Sequence, residues 1–413
     1  MHDAERRGSN GNLNGPSLTA LPEREVVMKV VARFALAVAV FLVALGLSQV
    51  SPTARSNQAT TTGIPDLSGQ ILTVAGPIDP EDLGQTIMHE HIFITFQNPV
   101  ARAAISRATD MGLHLAPVAL NVLSDVRLRR IPNRDNLYLT DLDEAIDAVL
   151  EFKRRGGQAI VDVTSIGLGR DPQALLQVSQ ATGLSVVMGA GWYQKQFHPS
   201  DMDRRTVEEL AEVIVRDVTE GVGGTSIRSG IIGEIGINGN PLTENEMKST
   251  RAAARASRVT GAAISFHVGG RGEEKFEVLD AVAAEGADLQ RVIMGHSNSI
   301  ANDVPFMTRL LERGVFIQFD TLGRPNGRLG GVDDAKVARG IVELVEAGYA
   351  DRVLLSQDVC NKIHLKKYGG TGFSYVVEHF LPVLRTLGVG EEDIHKMMVE
   401  NPRRALTFAT PRP

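Results

Sequence analysis

Ten histidines are scattered over 413 residues, and two stand one residue apart at the end of an apolar run, GQTIMHEHIFI, from Gly84 to Ile94. In a β-strand, residues i and i+2 project from the same face, so His89 and His91 can present two imidazoles to one metal ion. The ends of other apolar runs carry Glu234 (GIIGEIGI), His267 (AAISFHVG), His296 (RVIMGHSN) and Asp358 (RVLLSQDVC). Taken singly, a strand-end histidine is more often structural than a ligand. Four histidines and two carboxylates at equivalent places point to metal. The count suits two divalent ions: His89, His91 and Asp358 on one, His267 and His296 on the other, and Glu234 giving an oxygen to each. Imidazole and carboxylate without thiolate suit Zn²⁺, Mn²⁺, Co²⁺ or Fe²⁺, with zinc the expectation. Two such ions can trap a shared hydroxide and polarise an ester oxygen. His114, His379 and His395 fall in helical or loop segments and read as surface or packing residues.

The elements that must bring these six side chains together are legible as a rhythm. Eight Val/Ile-rich runs alternate with amphipathic stretches: those already quoted, AIVDVTSI from Ala159, SVVMGAGWY from Ser185 and VFIQFDTLG from Val315. Such alternation marks βα units around a parallel sheet. Thr206 with Glu209, and Thr243 with Glu246, form capping boxes, while Asp171 before Pro172 reads as an N-cap. Phe276, Leu279 and Val282 share one helical face. The expectation is an α/β fold, a (β/α)₈ TIM barrel with enlarged βα loops, whose chemistry sits at the C-terminal ends of the strands. A doubly wound sheet would offer a Gly-rich phosphate turn after its first strand, and HEHIF is no such turn. Pleat alternation puts Ile232, Glu234 and Gly236 on one face, with Glu234 aimed into the barrel mouth.

Bulk properties narrow the class. A net charge of −6 and a pI near 6.0 argue against a nucleic-acid partner. The single cysteine, Cys360, excludes an intrachain disulfide or a cysteine-rich metal site. Phe34–Leu47 is an uncharged apolar run behind Lys29 and Arg33, short for a membrane span and suited to the core of a secretory signal. The polar stretch before it makes Met28 an alternative start. Residues 1–68 therefore read as an N-terminal extension and linker, and 69–413 as the barrel domain. The protein is expected to be exported, periplasmic or secreted, with a retained N-terminal anchor as the alternative.

HEH, GIIGEIG, SFH, MGHSN and SQD, in that order, resemble the phosphotriesterase family of amidohydrolase-like barrels, from about Gly84 to Phe408. GAGWYQKQFHP, DVTSIGLGRDP and ENPRRALTF are further family-like stretches. The resemblance implies a binuclear metallohydrolase in which metal-bound hydroxide attacks a phosphotriester or lactone, with N-acyl amide hydrolysis the alternative. It further implies proton transfer by Asp358, a small-molecule ester, lactone or amide as substrate and, on resemblance alone, a homodimer. A binding protein with a structural metal is the reading from another class. Many family members bridge the metals with a carboxylated lysine on the fourth strand. Here glycine stands at that place, beside Glu234, as in a sub-branch with a glutamate bridge.

Weaker candidates surround these. Trp192 and Tyr193 end the third strand, where an aromatic ring can meet substrate or pack. Asp320 is placed to orient a ligand histidine, and Arg170–Asp171 reads as a helix start. Lys362 and His364, in the glycine-bearing loop NKIHLKKYGGTGFSY, are candidates for an anionic group on the substrate. Cys360 lacks the activating base a nucleophile needs.

Overall fold

The computed structural model describes residues 65–96, 107–128, 131–268, 272–324 and 333–412. The expected extension up to residue 64, with its signal-like run Phe34–Leu47, lies outside them. Among the described residues, no helix is long and apolar enough to cross a membrane.

Eight parallel strands follow the eight runs read from the sequence. They are β1 (Thr86–Glu90), β2 (Ala159–Asp162), β3 (Ser185–Met188), β4 (Ile232–Ile237), β5 (Ile264–Val268), β6 (Val292–Met294), β7 (Phe316–Phe319) and β8 (Val353–Leu355). Ladders join β1 to β3 in one arc and β4 to β8 in another. Neighbours pair in order, as Ile160 with Val186 and Ile293 with Phe316 do. One buried cluster takes a residue from each strand region: Met88, Val161, Val187, Ile231, Ala263, Ile293, Phe316 and Leu354. That set fills the cylinder, and Ile71, Leu83, Ala405 and Leu406 pack at its foot. Residues of opposite parity, such as Ile87, Ile160, Val186 and Ile317, pack outward against the helices.

The helices start where the sequence signals them. Asp171 caps Pro172–Thr182 by accepting from the Ala174 N–H. Both capping boxes form, at the heads of Val207–Thr219 and Glu244–Thr260. Enlarged loops also appear. Between β1 and the helix Leu142–Arg154 lie a short antiparallel pair, Ile94–Thr95 with Tyr138–Leu139, and the helices Ala108–Leu115 and Leu123–Arg127.

The seam between β8 and β1 is closed largely beyond the ladder. Asp358 N–H donates to the His89 carbonyl and His91 N–H to the Val359 carbonyl, each at 3.1 Å. The fully buried Glu90 does the rest. Its Oε1 accepts from Ser356 Oγ at 2.7 Å and Gln357 N–H at 2.8 Å, and its Oε2 from Val359 N–H at 2.8 Å. Glu90 thus straps the turn that carries Asp358. Replacing it by leucine, similar in bulk but without acceptors, strands three buried donors. Glu90→Leu is expected to lower stability by about 3 kcal/mol or more, at roughly 1–3 kcal/mol per stranded group. Urea unfolding of the metal-free variant measures it, and an unchanged midpoint would remove Glu90 from the seam.

Candidate metal centre

The six expected side chains converge at the C-terminal rim of the strands. His89, His91 and Glu234 are at most 1% exposed, and His267, His296 and Asp358 are also buried. Glu234 lies at the centre. Its Oε1 is 3.3 Å from His91 Nε2, while its Oε2 is 3.2 Å from His89 Nε2 and 2.9 Å from His267 Nδ1. His91 Nε2 also lies 3.4 Å from Asp358 Oδ1. The His296 ring sits 4.1 Å from that of His267 and 5.0 Å from that of His89, centroid to centroid.

The route by which Glu234 gets there differs from simple alternation. Ile231 faces the barrel interior and Ile232 the helices, so strict pleating would turn Glu234 outward with Ile232. The register of β4 against β5 shifts between Ile232 and Ile235, and that of β1 against β2 shifts between Ile87 and Glu90. Such irregularities re-aim a side chain, and here each falls on a ligand-bearing stretch. The glycine at the lysine position also has a physical reason. Gly233 has φ 135°, and a Cβ there would run into the Ser265 carbonyl oxygen, so no side chain fits at 233. Among described residues, only two non-glycines adopt left-handed φ, His296 at 54° and Asp358 at 53°. Each such residue costs on the order of 1–3 kcal/mol unless its surroundings hold it.

Those surroundings are polar and buried. Asp320, as expected, orients histidines. Its Oδ1 lies 2.7 Å from His296 Nδ1, and its Oδ2 lies 3.3 Å from His89 Nδ1. Both oxygens also accept from the His296 backbone N–H. Gln318 Nε2 donates to Asp320 Oδ2 at 2.8 Å and lies 2.9 Å from His89 Nδ1. Thr164 Oγ1 donates to the Phe93 carbonyl and so receives the His91 Nδ1 proton at 2.9 Å. In each case the outer ring nitrogen is engaged and Nε2 is left facing the cluster. His89 Nε2 is fully buried and makes no hydrogen bond. A buried nitrogen with only carboxylates and imidazoles around it fits a cation. Two sets of ligand atoms lie within 4.8 Å of one another, His89–Glu234–His296 and His89–His91–Asp358. His267 joins neither set and reaches the cluster through Glu234, while its Nε2 meets Gln194 Nε2 at 2.6 Å and Tyr193 Oη at 3.3 Å.

A cavity of about 480 Å³ opens above the cluster, lined by Phe96, Phe197, Tyr193, Arg324, Cys360 and five of the six expected ligands, among others. Of the substrate candidates, only Tyr193 lines it. Trp192 is 1% exposed and packs in the core. Lys362 turns away to Asp135 at 2.7 Å and lies over the Tyr368 ring. His364 accepts from the Cys360 N–H and lines a neighbouring cavity. The structure places these three away from the cavity: the core holds Trp192, Asp135 holds Lys362 and the Cys360 N–H meets His364. Gln194, Gln318, Glu90, Arg324 and Asp162, which accepts from the Ile92 and Thr164 N–H groups beside the His91 turn, escaped notice in the sequence. Gln318 and Asp162 had a signal, a polar residue inside an apolar run, whereas Arg324 had none.

Imidazoles and carboxylates buried together at the mouth of a (β/α)₈ barrel define a metal-dependent hydrolase. The profile of the Phosphotriesterase family matches residues 69–406, and the chain belongs to that family. The N-acetyltaurine hydrolase of Xenopus tropicalis is 34% identical over 349 residues, covering 83% of this chain and 99% of that protein. Among solved structures, a resiniferatoxin-binding protein from Rhodobacter sphaeroides is 40% identical with a TM-score of 0.76, covering 82% of this chain and 95% of that one. A lactonase from Listeria monocytogenes is 26% identical with a TM-score of 0.69, covering 83% of this chain and all of that one.

Charge in the metal-free cluster sets a pH dependence. Burial alone would lower the His89 imidazole, but Asp320 and Glu234 carry it up to about 9. His91 rises to about 10 against the same burial, through hydrogen bonds to Asp358 and Glu234. Both rings therefore hold protons at neutral pH, and a cation must displace them. Metal affinity is expected to climb from pH 6 to 8.5, by up to about tenfold per pH unit for each proton displaced. Linkage runs the other way for the metal-free fold. The stability these protons contribute is complete below pH 6.5 and is lost as pH rises through 9 to 10. Chelator competition across that range, with calorimetric proton counting, checks the first trend; a flat affinity would contradict it.

Proposed function

We propose that this chain holds two divalent cations, zinc foremost, and hydrolyses the amide bond of small N-acyl compounds. The observation that carries the reading is the placing of Glu234, whose two carboxylate oxygens face different histidines while His89 Nε2 lies fully buried 3.2 Å from one of them, without an aligned hydrogen bond. His89, His91 and Asp358 would hold one cation, His267 and His296 the other, with Glu234 shared. When bound, such ions supply Lewis acidity and lower the pKa of a water.

The remaining work falls to the chain. Asp358 presents Oδ1 toward His91 and Oδ2 toward Arg324. Burial opposes its ionisation, but Arg324 and the histidines hold it well below the usual carboxylate range. It enters the cycle as an anion, takes up the water's proton at Oδ1 and delivers it to the departing nitrogen. An amide needs that delivery, because without the proton the nitrogen would have to leave as an amide anion, whereas with it a neutral amine departs. Tyr193 stays protonated, since burial and then Glu234 and Asp358 raise its phenol well above the ordinary value. Its O–H, beside His267, is a donor for a carbonyl oxygen seated in the cavity.

Support for an amide over other acyl centres comes from the N-acetyltaurine hydrolase, matched over nearly its whole length. The Listeria lactonase favours a second reading, lactone opening by the same groups. A panel of N-acetyl amides, acyl lactones and aryl phosphotriesters, run on one metal-loaded preparation, separates them. The amides are expected to show a kcat/KM at least tenfold above the rest, and a leading lactone would replace the amide reading. In the same assays Glu234→Ala and His89→Ala are each expected to lose bound metal and fall to background turnover. Retained activity at full metal content in either variant would refute the assignment.

A further inference from the structure

The two loop cations that the sequence offered for an anionic substrate group both turn away from the cavity. One cation remains. Among the described residues lining the cavity, Arg324 is the sole lysine or arginine. It follows β7 at the cavity wall, with its side chain 13% exposed. All its recorded contacts run through one nitrogen. Nη2 donates to the carbonyl oxygen of Asp358, to Asp358 Oδ2 at 2.5 Å and toward Cys360 Sγ at 3.4 Å. Nε is buried and has no partner. The guanidinium is thus fixed by one corner, with a donor left unsatisfied on another edge.

We infer that Arg324 is a specificity residue that seats the anionic head, carboxylate or sulfonate, of the N-acyl substrate. The inference rests on the amide reading above. A guanidinium carries five N–H donors in one plane, and those on Nη1 and Nε are left to meet the oxygens of a carboxylate or sulfonate. Because Nη2 is already committed to Asp358, the group is pre-oriented, and less freedom is lost when an anion docks. Asp358 does not use up this charge. Its Oδ1 faces His91, and only the Nη2 corner of the guanidinium reaches it, so Nη1 and Nε keep donors for a second anion. The rival role is confined to Asp358: Arg324 would neutralise and position that carboxylate and never touch substrate.

Selectivity separates the two roles, because an effect through Asp358 is common to all substrates and cancels in a ratio. The substrate pair is N-acetyl-2-aminoethanesulfonate and its neutral counterpart N-acetylethanolamine. In Arg324→Gln, the ratio of their kcat/KM values is expected to drop about fiftyfold, and Arg324→Lys to restore part of it. Binding provides a readout independent of turnover. The ketone isosteres of both compounds, which cannot be cleaved, are titrated calorimetrically into metal-loaded wild type and variant. The anionic isostere should weaken at least tenfold more than the neutral one. Equal losses for both members, or no loss, would overturn the inference. If wild type leaves both amides intact, the amide reading falls, and the isostere titration by itself still decides whether Arg324 seats an anion.

Discussion

Taking ionisable groups out of water is the constraint on which this structure depends. At the rim of the cylinder, Glu234, Asp320 and Asp358 lie buried with four imidazoles, and none of them can be left uncompensated without a cost of several kcal/mol. The chain answers by making each group a partner of the next. Asp320 faces both His296 and His89, Glu234 faces His89, His91 and His267, and Arg324 faces Asp358. The result is a set of carboxylates driven toward ionisation and two histidines driven toward protonation. A cation entering this set replaces protons, and the electrostatics that hold the apoprotein together become the affinity for metal.

Meeting that constraint shapes the backbone. The parallel ladders run regularly until they reach the ligand-bearing stretches of β1 and β4, where the register slips. The two left-handed non-glycine residues among those described are His296 and Asp358, both held by buried hydrogen bonds, to Asp320 for one and through the Glu90 turn for the other. Irregularity is concentrated where chemistry is, while the residues filling the barrel beneath follow the simple alternation of a strand.

This division explains what could be read from the sequence. The eight strands, the two capping boxes and the Asp171 cap arise from local patterns, and local patterns survive in a linear reading. The six rim residues were legible because each follows an apolar run, which fixes its height on the barrel. Direction was less legible. Pleating alone gave the right destination for Glu234 through a wrong path, since a register shift is a property of two strands and not of one. The places of Trp192, Lys362 and His364 were not legible because they depend on partners outside the local pattern: the core for Trp192, Asp135 for Lys362 and the Cys360 turn for His364. Arg324 went unseen because nothing beside it in the chain reveals that Asp358 is its neighbour.

The strap of Glu90 across the seam has one more consequence. His89 lies in the first strand, His91 just past its end and Asp358 in the turn after the last, so any ion they share would span the joint at which the cylinder closes on itself. That joint relies on two backbone bonds and the Glu90 side chain, where the strands within each arc have ladders. An ion there acts as a clasp between the two ends of the barrel's chain, removing freedom that a long loop would otherwise keep. With such an ion bound, parting of the staves at this point would also cost its ligand bonds, so metal would hold the barrel shut at its joint.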